Sequence, residues 1–203
     1  MTLVAEERDP VAQRILDATI ATIDEQGEVG VRVQEVVRDA GVQIPVLYRH
    51  FGNREGLVQA AQLERLHRDL DVEMAAIRAT LDGATTASEF RELMDEVLAR
   101  IMSPERRLPR SRRANVLGST YGRPELTAAV AAAQQEAIDR IALVMTRPAE
   151  QGWLRDGLDP QTFATWLASV AIGRVVAEIG PDRVDFDAYD AMWVDAVRYT
   201  LFG

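Results

Sequence analysis

The 203-residue sequence contains no cysteine and no lysine, and only two histidines, His50 and His67. Without cysteine there are no disulfides, thiolate metal sites or cysteine nucleophiles. Neither histidine stands at metal-ligand spacing. GxSxG, GxGxxG and P-loop patterns are missing, and the "LGST" around Ser119 lacks a plausible base. The paired carboxylates look like helix-surface charge. The sequence therefore predicts no enzyme: no catalytic residue, no metal, no cofactor. An uncharged apolar run of about 18 residues is also lacking, so no membrane span is expected. The opening "MTLVAEERDP" is acidic with only a short apolar patch, which argues against a secretory signal. A cytoplasmic protein is the expectation. The absence of lysine reads as compositional bias and carries no functional weight.

Hydrophobic residues at 47% and charged ones at 27% describe a globular chain with a real core. The formal charge is −9. Non-specific nucleic-acid affinity comes from phosphate neutralisation, so any such site must be a local positive island on a negative protein.

Apolar residues recur at three- and four-residue spacing almost throughout, and alternating β-branched runs are missing, so the fold class is all-α. Asp9 as N-cap and Pro10 in the first turn open a helix whose buried face is Val11, Ile15, Thr19 and Ile23, with Leu16 and Ile20 beside them; Gly27 stops it. A short helix covers 33–40. Gly41 makes a turn into "VQIPVLYRHF", and Asn53 caps a long helix whose stripe is Leu63, Leu66, Leu70, Ile77 and Leu81. Thr86 with Glu89 forms a capping box for a helix reaching about Met102. "SPERRLPRSRR" reads as an arginine-rich connection or irregular helix. Further helices start at Pro124 and Pro160, and a last one reaches Phe202. Nine helices are predicted: three short ones at the N-terminus and six after them. The boundary is drawn as 1–52 and 53–203, with the long fourth helix shared.

In the first part, Val36, Ala40, Val42, Leu47 and Phe51 face inward. Gln43, Ile44, Val46, Tyr48, Arg49 and His50 lie on or near the outer face of an eight-residue helix suited to a major groove. The stretch "VAQRILDATIATIDEQGEVGVRVQEVVRDAGVQIPVLYRHFGNREGLV", residues 11–58, resembles the N-terminal domain of the TetR family of transcriptional regulators. The RILDA-type first helix, the glycine before the second helix, "AGV" at the turn, "LYRHF" and "REGL" carry that resemblance. It implies a helix-turn-helix DNA-binding domain on a six-helix effector-binding and dimerisation domain. It also implies a homodimer on a palindromic double-stranded DNA operator, answering to a small-molecule effector, most simply as a repressor. By that pattern Tyr48 and His50 contact phosphates, Arg49 reaches a phosphate or base edge, and Arg54 sits on the backbone at the start of the fourth helix. The expected DNA-binding set is Arg32, Gln43, Ile44, Pro45, Val46, Tyr48, Arg49, His50 and Arg54.

The departures from the family pattern concern readout. Val31, Arg32 and Gln43 stand where hydroxyl residues are usual, Val37 where a small residue is, and Ile44 where lysine is common. Ile44 and Val46 could meet thymine methyls, and Gln43 could pair with adenine. Residues 1–56 hold six arginines and ten acids, yet 43–54 holds Arg49 and Arg54 and no acid. Screening over about 8–10 Å limits the harm from distant acids.

In the second part, "QTFATWLASVAIGRVVAEIG" is apolar almost all round, which implies a second partner beyond the protomer core. Ala168, Ala171, Val175, Trp193 and Val197 are the expected dimer-interface residues, with Gly173 allowing close approach. Met74, Met94, Leu98, Met102, Leu117, Tyr121, Met145 and Trp166 are the expected lining of an effector pocket for a mostly apolar ligand. The arginines 106, 107, 110, 112 and 113 read either as a solvated connection or as a face toward an anionic ligand or the acidic N-terminal segment. The alternative to a regulator is an all-helical ligand-binding or protein-partner module with a vestigial DNA-binding head.

Overall fold

In the computed structural model, residues 9–203 are described, and among them there are nine α-helices and no strand. They are α1 (Pro10–Gln26), α2 (Val33–Asp39), α3 (Ile44–Phe51), α4 (Arg54–Leu81), α5 (Ala87–Met102), α6 (Arg107–Ser119), α7 (Pro124–Glu150), α8 (Pro160–Ile179) and α9 (Phe186–Phe202). This is the expected all-α architecture of three short helices and six more. Glu6 and Glu7, and the reading of the opening stretch as no signal, fall outside the described residues. Packing divides the chain into two units, the first ending at His67 and the second starting at Arg68. The division falls inside α4 rather than at 52/53, because Leu57, Val58 and Ala61 belong to the first unit's core.

Local chemistry fixes the first unit. The Asp9 carboxylate accepts from Val11 N at 2.8 Å, with Pro10 in the first turn, and α1 ends at Gly27. Ile15, Leu16 and Ile23 meet Val36, Val37, Ala40 and Leu47 in one cluster with the α4 residues. Thr19 is fully buried and returns its hydroxyl to Ile15 O at 2.7 Å, so no polar group is stranded. α2 ends by handing its last carbonyls to the next turn: Val42 N donates to Val37 O at 2.9 Å, with Gly41 at φ +66° between them. A Cβ there would be strained, hence the glycine. Gly56 has the other requirement, close approach: a Cβ would stand 2.3 Å from Phe51 O. That lets α4 start directly under the end of α3, where Asn53 Oδ1 accepts from Gly56 N at 2.8 Å.

In the second unit, Thr86 and Glu89 form the expected capping box at the start of α5. Asp159 caps α8, accepting from Thr162 N at 2.7 Å. Phe90, Met94, Leu98, Met102, Met145, Phe163 and Leu201 are among the most deeply buried side chains. The arginine-rich segment is ordered as a 3-10 turn, Pro104–Arg106, leading into α6. α7 runs to Glu150, with Pro148 buried inside its last turn. By length and composition α8 is an exception to the expectation of no membrane-length apolar helix: 20 residues at a mean hydropathy of 1.3. Its ends, however, are tied into this unit by Asp159 at one and by the ion pairs of Arg174 and Glu178 at the other.

Candidate nucleic-acid interface and the interior of the second unit

α3 is held by one fully buried anchor, Leu47, with Phe51 packed against the same cluster. Most of the residues expected on its outer face are exposed. Gln43, Ile44, Pro45, Tyr48 and Arg49 are exposed, while Val46 and His50 are partly buried. Gln43 is the N-cap by backbone only, with no hydrogen bond from its side chain into the helix. The amide is therefore presented outward at the helix N-terminus, beside Ile44 and Pro45. This is an eight-residue helix with a polar and apolar reading edge at its start and Arg49 near its end.

Three of the expected contact residues have duties within the fold. His50 is only 18% exposed, and its Nε2 stands 3.6 Å from the Asp9 carboxylate, facing the cap of α1. Arg54 donates from Nε to Val31 O at 2.8 Å and from Nη2 to Glu28 O at 2.5 Å. It fastens the 3-10 turn Glu28–Gly30 and the entry to α2 onto α4, so two of its donors point into the protein rather than outward. Arg32 is exposed, 3.9 Å from Glu35, a weak screened pair. The positive island is thus smaller than two free cations, and Arg49 is its exposed member on α3. Sequence reading missed the polar cluster within this unit: Gln62 is fully buried and donates to Glu28 at 2.7 Å, and Arg65 meets Asp24 at 2.5 Å.

The second unit redistributes the expected pocket and interface residues. Met94, Leu98, Met102 and Met145 are core, at most 1% exposed. Met74 lines a cavity of about 170 Å³ with Ile77, Ile141 and Val144, and Trp166 lines an open one of about 440 Å³ with Phe163 and Thr200. Leu117 is half-buried on α6. Tyr121 is no lining residue: α6 ends at Ser119, and Tyr121 follows in the turn at 95% exposure. Trp193 and Val197 face this protomer's own core, at 8% and 0%, and are not surface available to a second copy. The surface available on α8 and α9 is instead Val176, Ile179, Met192 and Tyr199, each at least 69% exposed, with Ala168, Ala171 and Val175 half-buried beside them.

The reason is that the second half of α8 is inside-out. Its buried positions are Arg174 and Glu178, while Val176 and Ile179 point outward. Glu178 pairs with Arg110 from α6 and with Arg174 at 3.0 Å, and Arg174 also pairs with Asp190 on α9. Arg110 completes its shell on Ile101 O and Ser103 O, and Arg107 donates to Glu178 O at 3.0 Å. The Arg174 guanidinium lies 4.6 Å over the Phe186 ring. Burial alone would push the Glu178 carboxyl up, but hydrogen bonds and charge from Arg110, then Arg174, hold it below the ordinary glutamate range. At Asp190 burial wins over Arg174 and the carboxyl is pushed up. The arginine segment is thus neither a solvated connection nor uniformly free: Arg106 meets Glu73 at 3.0 Å and Arg112 meets Asp69 at 3.9 Å.

A short helix pinned by one leucine, reached through a glycine turn and carried on a small three-helix core, defines the helix-turn-helix class. Residues 15–61 match the family described as bacterial regulatory proteins, tetR family. The match is to the N-terminal domain of that family and covers residues 15–61 alone. It is 34% identical over 83 residues to the HTH-type transcriptional regulator BetI 2 of Chromohalobacter salexigens, a match covering 41% of this chain and 40% of that one. The chain thus matches less than half the length of that relative. Similarity over the whole length is structural. A regulator from Saccharomonospora viridis, solved in complex with choline, gives a TM-score of 0.67 at 20% identity, covering 95% of this chain and 97% of that one. SmeT, the repressor of the Stenotrophomonas maltophilia multidrug efflux pump SmeDEF, gives 0.62 at 25% identity, covering 95% and 90%.

Proposed function

We propose that this chain is a ligand-responsive, sequence-specific DNA-binding regulator, a homodimer that represses transcription from a palindromic operator until a small molecule releases it. The observation that carries the reading is the exposed edge of α3, Gln43, Ile44, Pro45, Tyr48 and Arg49, on a helix whose opposite face is anchored by Leu47 at 0% exposure. A helix fixed from behind and bare in front suits insertion into a major groove. Gln43 offers an amide to adenine, Ile44 and Val46 offer apolar contact to thymine methyls, and Tyr48 and Arg49 reach toward the backbone. Because the chain carries −9 overall and the island is small, specific contacts carry most of the affinity and non-specific binding is weak.

The dimer is supported by α8 and α9, where apolar side chains face outward while charged ones are buried. The effector is supported by the cavities of the second unit and, among structural neighbours, by the one solved with choline. A ligand releases the operator only by binding one form of the dimer more tightly than another. Placement in the cytoplasm follows from this reading. The test is a gel shift with the DNA upstream of the chain's own gene at low and physiological salt. A retarded dimer complex is expected. An intact dimer that binds no DNA even at low salt leaves the alternative, a ligand- or partner-binding module with a vestigial head.

A further inference from the structure

The start of α6 and the 3-10 turn before it turn arginines inward, Arg110 being buried beside Val116 further along the helix. Arg106, Arg110 and Arg113 succeed one another at four- and three-residue spacing, with Arg112 beside them. Arg106, Arg110 and Arg112 each stand against a carboxylate, namely Glu73, Glu178 and Asp69. Arg113 is different. Its Nη2 donates to a neutral amide, Gln134 Oε1 on α7, at 2.5 Å, and its Nε–H is buried without an acceptor. Burial holds its pKa below the ordinary arginine value; the nearby Glu73 raises it, but Arg106, already on that carboxylate, counters the effect. A guanidinium taken from water and set against an amide is costly until an anion joins it.

We propose that Arg113, with Gln134 as its neutral neighbour, is an anion-binding subsite of the second unit, and that the effector is a small amphiphile carrying one carboxylate or phosphate head. The planar guanidinium suits either head, bidentate through Nε and a terminal nitrogen. For the tail, Ile77, one turn beyond Glu73 on α4, and Ile141, two turns beyond Gln134 on α7, line a cavity of about 170 Å³ with Met74, Val144, Arg78 and Arg140; Arg113 and Gln134 are not in its lining. Glu73 and Arg106 are each 19% exposed, so the polar end communicates with solvent. A cationic ligand is disfavoured there by three arginines. Calling the ligand an effector rests on the regulator reading; the subsite itself does not.

The experiment is thermal unfolding of the full chain with decanoate, decyl phosphate or neutral decanol, each below its aggregation concentration. Decanoate or decyl phosphate is expected to raise Tm by about 5 °C near saturation, and decanol is not. Which of the two acts more strongly identifies the head group. Arg113→Gln should abolish the rise, while Arg183→Gln, exposed in the turn before α9 and outside the cavity lining, should keep it. Gln134→Glu supplies the missing carboxylate, so it should raise Tm without probe and remove the response to both anions. The proposal is overturned if neither anion shifts Tm, if decanol matches them, if Arg113→Gln responds as wild type does, or if Gln134→Glu lowers Tm. If Arg113→Gln does not fold, the Gln134→Glu result decides alone. A parallel gel shift without probe keeps the two readings apart: loss of DNA binding there sinks the regulator and leaves the subsite standing.

Discussion

Gln43 and Arg54 flank α3, and their surroundings separate recognition from construction. Gln43 caps with its backbone and keeps its amide exposed, so no packing is lost when the side chain is cut. Gln43→Ala is expected to leave stability within about 0.5 kcal/mol. It should shift base preference at one position in each half-site by roughly 1–3 kcal/mol, read by gel shift against singly substituted operators. Unchanged preference at every position would remove Gln43 from the reading edge. Arg54 is the reverse case. With Nε and Nη2 on Val31 O and Glu28 O, Arg54→Ala should lower stability by about 1–2 kcal/mol in urea unfolding. The salt slope of DNA binding should change little. A flattened slope at unaltered stability would return Arg54 to the phosphate-contacting set. The sequence pattern placed Arg54 at the right point of the chain, but the family habit of a backbone contact cannot show that two carbonyls lie within reach of this arginine.

Helix starts were readable because their causes are local. Asp9 with Pro10, Asn53, and Thr86 with Glu89 each cap within a turn as the sequence predicts, and Asp159 before Pro160 does the same for α8. α8 shows where that reading stops. Apolar periodicity says how much of a helix avoids water, not which neighbour covers it, so the all-round apolar pattern implies a second partner without saying which face the protomer keeps. The available signal was Arg174 and Glu178 at i,i+4 in an otherwise apolar run; a charged pair there is either a surface bridge or a buried one. The partners that make it buried, Arg110 and Asp190, lie 64 residues before and 16 after Arg174, beyond any local pattern. Because removing one member strands the others, Glu178→Gln should cost about 3–5 kcal/mol. The pH dependence has a definite sign. Glu178 has a depressed pKa in the fold, so its contribution is present above the ordinary value of 4.5 and is lost as pH falls through the folded value. Asp190, pushed up, works in the opposite sense and gains favour as pH falls. Tm measured from pH 7 to well below the ordinary value of 4.5 should fall in the wild type, and Glu178→Gln should flatten that acid limb. An acid limb as steep in the variant would place the sensitive carboxylates elsewhere.

For the molecule as a whole, the buried charges of α8 and its exposed apolar residues are two sides of one arrangement. Arg174 and Glu178 occupy the positions that face α6 and α9, so Val176 and Ile179 must project away from the protomer, and Met192 and Tyr199 on α9 do likewise. Scattered exposed apolar residues need no explanation, but several on two successive helices, together with half-buried Ala168 and Ala171, mark an association surface. A second copy is the occupant that the proposed palindromic operator calls for, since on that reading two α3 helices reach half-sites about 34–36 Å apart. Val176→Glu with Ile179→Glu is therefore expected to give a 22.5 kDa monomer in sedimentation, with the protomer's own Tm almost unchanged because both positions are exposed at 78% and 81%. Operator affinity should collapse toward that of a single half-site, while binding of an anionic probe at Arg113 should persist if that subsite lies within one protomer. Trp193→Ala provides the contrast. At 8% exposure it is part of the core, so it should cost about 3–5 kcal/mol of protomer stability. If instead the double glutamate variant stays dimeric and Trp193→Ala dissociates it without loss of stability, the interface runs through the other face of α9.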